Sequence, residues 1–199
     1  MAAAGGASEE VVPEKEFMGV NLNALEKVKS DAFVGYMAID LYDPPPEATW
    51  GKFNDRIINK GWVTRLSMDF QRRYYNCIED DSIEVAIRPS WLKNQERILP
   101  RINGLRIGEV PVMEFTDEGK AAISPKNLIM LGGNHRRQAV RQHVEKLRAD
   151  LEIHEKQIKD KGKEIPIAES NADEEMLEIE KEDTKWACYW SVRIYDRGE

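Results

Sequence analysis

The sequence predicts a single α+β (mixed α/β) domain with a small mixed sheet, packed helices and one long projecting helix. Apolar and polar residues alternate through 186–195, as in a strand. Apolar residues between 140 and 158 recur instead at spacings of three and four, as in a helix. The 199 residues, 41% of them hydrophobic, suit one core with polar extensions. We therefore expect one domain at 17–199 after a disordered tail at 1–16.

The first half of the chain predicts short strands around one helix. The apolar run 33–41 is rich in strand formers, and a block of prolines stops it. A helix is predicted over 46–61, because its apolar residues recur at spacings of three and four. The alternation in 64–70, together with the apolar run 110–115, favours further short strands.

The predicted helix at 46–61 also carries a polar stripe. Thr49, Lys52 and Arg56 follow one another at i, i+3 and i+7, which places them on one helical face beside the apolar one. Such a stripe can face a ligand.

A strand, a glycine pair and a helix start follow one another at residues 128–141. The apolar run 128–131 ends at Gly132 and Gly133, and the long helix 134–161 then begins. The first N–H groups of a helix have no carbonyl partner within it and lie at its positive end, so anions bind there. Glycines let a phosphate approach the backbone. A plain turn is the alternative.

Three side chains after the glycines suit an anion site. Asn134 is a good helix cap, and Arg136 offers a charged, forked donor. His135 either donates to a phosphate oxygen or bonds within the turn.

Charge is unevenly distributed in the second half. Residues 134–163 carry nine Lys and Arg against five Asp and Glu, whereas residues 164–185 carry two against nine. Since the acidic stretch 164–185 has poor apolar periodicity, we predict a solvated linker there.

Composition excludes several classes of protein. The net charge of −7 argues against non-specific binding of the whole chain to nucleic acid. No apolar run is long enough to span a membrane. Two isolated cysteines, Cys77 and Cys188, suggest neither a disulfide framework nor a zinc site. We expect an intracellular protein, in the cytoplasm or the nucleus, with Cys188 packed in the core.

The segment LGGNHRRQAV resembles the GGCHR sequence of sulfiredoxins and the GEHR or GERR box of the ParB N-terminal domain. In both families this box cradles nucleotide phosphates. The resemblance covers roughly 33–195, in the order of a strand with a proline turn, a helix ending INKGW, an IRP strand end, the box and a last strand. It implies a ParB/sulfiredoxin-like fold.

The same resemblance implies ligands and residue roles. Gly132, Gly133, His135 and Arg136 would hold the phosphates of ATP, ADP or CTP. Thr49, Lys52 and Arg56 lie where sulfiredoxin-like domains present further ligand contacts.

Asn134 departs from both family patterns. An amide cannot attack a sulfinyl phosphate as the sulfiredoxin cysteine does, so the chain should not be a sulfiredoxin. Asparagine also replaces the glutamate that ParB boxes often carry, which leaves the use of Mg²⁺ open.

Two hypotheses about function stay open. One is a nucleotide-binding domain acting as a phosphotransferase or nucleotide hydrolase, with Glu47 as the catalytic carboxylate. Glu47 equally suits a first-turn acid that complements the helix dipole. The other is an inactive fold that serves as a protein- or nucleic-acid-interaction module. For this hypothesis, the cations and aromatic rings of residues 72–75 suit the binding of single-stranded nucleic acid.

The long helix 134–161 carries a stripe that suits either a homodimer seam or packing on its own domain. Its members step by four and three residues: Val140, Val144, Leu147, Leu151, His154 and Ile158.

Overall fold

The structure is a computed structural model, and the chain divides into two compact units, residues 1–33 and residues 34–199. It describes residues 16–17, 20–44, 49–50, 58–72, 76–122, 129–130, 133–161 and 167–198. Elements are numbered in chain order. The first unit holds the antiparallel strands Glu16–Phe17 (β1) and Val20–Asn21 (β2) and the helix Leu22–Ala32 (α1). Of the predicted tail, residues 1–15 lie outside the described residues, and Glu16 belongs to β1.

A five-stranded mixed sheet forms the centre of the second unit and confirms the predicted fold class. Its strands, in spatial order, are Phe33–Asp40 (β3), Tyr189–Asp196 (β7), Ile83–Ile87 (β5), Ile129–Met130 (β6) and Thr49–Trp50 (β4). β5 runs parallel to β7 and antiparallel to β6, and β6 runs parallel to β4. The predicted strands at 33–41 and at the end of the chain are both present.

The central strands bury an apolar face, as the period-two patterns predict. Ile83, Val85 and Ile87 are buried, and the residues between them are half-buried. In β7 the buried residues include Trp190 and Ile194. Cys188 is buried as predicted.

The predicted helix at 46–61 is wrong in its position. Thr49 and Trp50 form β4, whose partners in β6 are Ile129 and Met130. The helix that follows is Lys60–Arg72 (α2). It therefore begins where the predicted helix was expected to end. Of the proposed stripe, Thr49 lies in a strand, and Lys52 and Arg56 lie outside the described residues.

The strand predicted from the alternation in 64–70 is also wrong, because α2 includes these residues. Val63, Ser67 and Phe70 are buried and step by four and three, whereas Met68 is 57% exposed. The alternating apolar residues thus lie on different sides of a helix. Residues 110–115 form bridges, Ala38 with Val112 and Leu92 with Phe115, before the short helix Asp117–Ala122 (α3).

The long helix has the predicted bounds, Asn134–Lys161 (α4). Val140 and Val144 are fully buried in the core, and Leu147 packs against it. Further along, the His154 Nδ1 and Glu180 Oε2 atoms are 2.7 Å apart. Four of the six residues proposed for a dimer seam thus make contacts within the chain, and the homodimer itself stays a prediction.

The acidic stretch is a helix from residue 167 onward rather than the predicted linker, and residues 164–166 lie outside the described residues. The helix Ile167–Trp186 (α5) packs on α4. Between residues 172 and 185 the less exposed positions recur at spacings of three and four, and only one of them is apolar: Asp173, Leu177, Glu180, Lys181 and Thr184. Opposite charges also meet across the pair, since Lys181 Nζ lies 3.6 Å from Glu155 Oε1. The sequence of α5 does have a helical period, but the residues that recur are mostly polar.

Candidate functional site

Two helix starts meet at one edge of the sheet. Because β4 and β6 are parallel, their carboxyl ends point to the same edge. The helices that follow them, α2 and α4, pack against each other. Their starts are joined directly, since the Asn59 backbone N–H donates to His135 Nε2 at 3.1 Å. Two positive helix ends therefore lie side by side. We call residues Gly133–Arg136 the box.

Gly133 makes the turn into α4. Its φ of +93° belongs to the left-handed region that favours glycine. A Cβ at this position would lie 2.7 Å from Ile83 Cδ1, so the backbone passes closely over the first residue of β5. The Gly133 carbonyl accepts the first helical bond, from the Arg137 N–H at 2.8 Å. Gly133 thus takes the cap position, and Asn134, predicted as the cap, is instead the first residue of the helix.

His135 links the two helix starts. Its Nε2 accepts a hydrogen bond, so the neutral ring carries its proton on Nδ1. Asn59 in turn caps α2, because its Oδ1 accepts from the Trp62 N–H at 3.1 Å. The His135 bond therefore reaches another element rather than staying within the turn. One ring N–H is left as a donor.

Arg136 is bound to the loop before β5. Its Nη1 donates to the Asp81 carbonyl oxygen at 2.6 Å, and its Nη2 lies 3.2 Å from Asp81 Oδ1. The guanidinium also lies 5.8 Å from the ring centroid of Trp190. Burial lowers the Arg136 pKa, and Asp81 opposes this effect. The cation is held beside the helix start, but two of its donors already serve the fold.

Of the other predicted site residues, the structure describes only Thr49. Thr49 lies in β4, on the strand next to β6. Glu47, Lys52, Arg56 and Gly132 lie outside the described residues. The prediction of these residues as ligand contacts, and of Glu47 as a catalytic acid, is therefore untested.

Sequence reasoning missed Asn59 and Asp81. An asparagine just before a helix is a recognisable cap, but the helix was expected to end near Gly61 and not to begin there. The sequence around Asp81 gives no indication that it contacts the box, since its partner Arg136 lies 55 residues away.

In the described part of the chain, no group of three or more His, Cys, Asp or Glu side chains could hold a metal ion. None of its helices is long and apolar enough to cross a bilayer.

A cleft of about 910 Å³ lies elsewhere in the second unit. It is lined by the end of α2, the middle of α4, the end of α5 and residues 105–109, and no predicted site residue is among its lining residues. The box therefore does not open into this cleft.

No protein-family model, curated protein or solved structure matched the chain. Membership of the ParB/sulfiredoxin superfamily stays a prediction from the box and the order of elements.

Proposed function

We propose that the box binds the phosphates of a nucleoside di- or triphosphate such as ATP, ADP or CTP. The observation that carries the proposal is the meeting of two helix starts, joined by the hydrogen bond from Asn59 to His135. Both dipoles favour an anion at this edge. Gly133 makes the left-handed turn that leads into the start of α4.

The electrostatics of the box support an anionic ligand. The first turn of α4 contains no acidic residue, so its positive end is not neutralised from within. His135 Nδ1–H and the remaining donors of Arg136 can add to the backbone amides. Where Mg²⁺ accompanies the nucleotide, the Asp81 carboxylate, which contacts Arg136, is a candidate ligand for it.

Phosphotransfer or nucleotide hydrolysis would need a further carboxylate near the transferred phosphate to orient the nucleophile. Glu47 is the residue proposed for it. Its replacement by glutamine should then abolish turnover while nucleotide binding survives.

A second candidate is an inactive fold that acts as an interaction module. The observation that favours it is the use of Arg136 within the fold, on Asp81 and Trp190, rather than on a ligand. This candidate predicts no response to nucleotides.

Nucleotide-dependent stabilisation separates the two candidates. A ligand at 100 times its dissociation constant adds about 2.7 kcal/mol to the free energy of unfolding. We expect such a shift with ATP, ADP or CTP. No shift with any of them, at concentrations up to several millimolar, would favour the interaction module.

A charge variant tests the location of binding. Asn134→Asp should leave the fold intact, because an acid in the first helical turn complements the dipole. Measured in EDTA, where no divalent cation can bridge the new carboxylate to a phosphate, it should weaken nucleotide binding by charge repulsion. Gln142→Glu is the matched control, since it makes the same charge change at an exposed position of α4. It lies about 12 Å along the axis, beyond the screening length of about 8 Å. Equal affinities in the two variants would place the nucleotide elsewhere.

A further inference from the structure

The 910 Å³ cleft has the size of a small-molecule site, for which about 300 to 1,000 Å³ is usual. Two helices contribute regularly spaced side chains to it. His143, Leu147 and Asp150 follow one another at i, i+4 and i+7 on α4. Glu182 and Trp186, four residues apart, line it from α5. These walls belong to rigid elements of one unit.

Apolar side chains form much of the lining. Leu105, a large apolar side chain, is 36% exposed, and Phe70, Ile107 and Leu147 also line the cleft. The indole of Trp186 is held in place, because Gly108 packs so closely that a Cβ there would lie 2.9 Å from its Cε2. Tyr189 packs against the same indole, with 5.3 Å between ring centroids, and Lys185 Nζ lies 4.7 Å from the indole centroid. The part of Trp186 that lines the cleft is therefore a fixed apolar wall, and the rest of the indole is covered by the protein.

The charges of the lining are predominantly negative. Its two cations are Arg106 and Lys146, and its four carboxylates are Glu109, Asp150, Glu182 and Asp183. His143 does not add to the cations, because burial and the nearby Lys146 lower its pKa and keep the ring neutral.

Two of these carboxylates are well placed to meet a ligand. The other two already have partners within the protein, since Glu109 accepts from the Arg106 backbone N–H at 2.6 Å and Glu182 pairs with Lys185 at 3.7 Å. Asp150 and Asp183 also line the cleft and are exposed, one on each helix. A lining that combines apolar side chains with more carboxylates than cations is complementary to a cation with an apolar part.

We propose that this cleft binds a small organic cation of the arylalkylammonium class. Its ring packs against Trp186 and Leu105, and its ammonium group lies near Asp150 and Asp183. The site is separate from the box, because His143 lies nine residues, or about 13 Å, beyond Asn134 along α4. The cleft would repel the anion that the box attracts. The two proposals are therefore independent, and the test of one can fail while the test of the other succeeds.

Three probes of matched size test the proposal: 2-phenylethylamine, the neutral 2-phenylethanol and the anionic 3-phenylpropanoate. Binding is followed at neutral pH through the Nε1–H resonance of Trp186, identified with Trp186→Phe. We expect the amine to bind about tenfold more tightly than the alcohol, since each exposed ion pair contributes up to about fivefold. The anion should bind more weakly than either, and added salt should reduce the preference.

Paired charge variants locate the ammonium group. Asp150→Asn with Asp183→Asn should reduce the affinity for the amine to that for the alcohol. Asp160→Asn with Glu175→Gln, which changes one exposed acid on each helix outside the cleft, should leave it unchanged. Equal binding of alcohol and amine, or an amine affinity that ignores the first pair, would overturn the proposal. A third outcome would also overturn it: a peptide of alternating arginine and leucine binds while the amine does not. That result would mean that the cleft binds segments of other proteins.

Discussion

Replacing Arg136 by alanine should destabilise the fold as well as the proposed phosphate site. The bond from its Nη1 to the Asp81 carbonyl oxygen, at 2.6 Å, has a charged donor and contributes about 1.5 kcal/mol. The ion pair with the Asp81 carboxylate joins side chains that are 31% and 42% exposed, so solvent screening limits it to about 0.5 kcal/mol. The contact with the Trp190 ring adds about 0.5 kcal/mol. The expected loss is therefore about 2.5 kcal/mol.

Asp81→Ala separates these contributions, because it removes the carboxylate and keeps the backbone carbonyl. Its expected cost is only about 0.5 kcal/mol. In a double-mutant cycle, the coupling between Arg136 and the Asp81 side chain should likewise be about 0.5 kcal/mol. Urea denaturation followed by tryptophan fluorescence measures all four free energies of unfolding.

The pattern of the cycle decides the role of Arg136. If Arg136→Ala costs less than 0.5 kcal/mol, roughly the measurement error, Arg136 does not hold the loop before β5 and is free for a ligand. If Arg136→Ala and Asp81→Ala lower the free energy of unfolding by the same amount, the bond from Arg136 to the Asp81 carbonyl oxygen contributes nothing. Either outcome would refute the structural role assigned to Arg136.

Three further predictions concern the box, the core and the helix pair. Gly133→Ala should lower the free energy of unfolding by about 2 kcal/mol, because alanine is strained at the left-handed φ and its Cβ would contact Ile83. Ile83→Val should reduce this loss, since it shortens the contacting side chain. Urea denaturation measures both, and a double variant whose loss equals the sum of the two single losses would contradict the prediction. Because burial lowers the pKa of His143 in the folded state, the unfolded state binds the proton more readily and stability should fall as pH drops below about 6.5, by at most about 1.4 kcal/mol per pH unit. His143→Gln should flatten that part of the pH profile, and an unchanged slope would assign the effect to other groups. Glu180→Gln should cost no more than about 1 kcal/mol, since its partner His154 is partly exposed, and a larger loss of thermal stability would show that the pair is more than a surface contact.

Long periodic segments were predictable from the sequence. The alternation in β7 and the apolar stripe of α4 extend over enough residues for the period to be unambiguous, and the structure has both elements. The turn before α4 was also predictable, because a left-handed conformation at Gly133 requires glycine.

Short strands and polar helix interfaces were not predictable in the same way. β4 has two residues, too few to show a period, so Thr49 and Trp50 were assigned to the helix of their apolar neighbours. α5 contacts α4 through polar side chains, the Glu155–Lys181 ion pair and the His154–Glu180 contact, which an apolar pattern cannot reveal. The error at α2 followed from placing its start more than ten residues too early.

Candidate site residues were predictable only where they are contiguous. The box appears in the sequence as one segment, whereas the partners of His135 and Arg136 lie 76 and 55 residues away. The 910 Å³ cleft draws on four separate parts of the chain, none of which is distinctive alone. Only the folded chain brings these residues together.

The most direct test of phosphate binding is a titration with ATP, ADP and CTP followed through backbone amide resonances. The amides of Gly133, Asn134, His135 and Arg136 should shift and saturate, while those of exposed residues beyond Gln142 stay in place. Saturable shifts that leave these four amides unmoved, or no shifts with any of the nucleotides, would contradict the proposed role of the box.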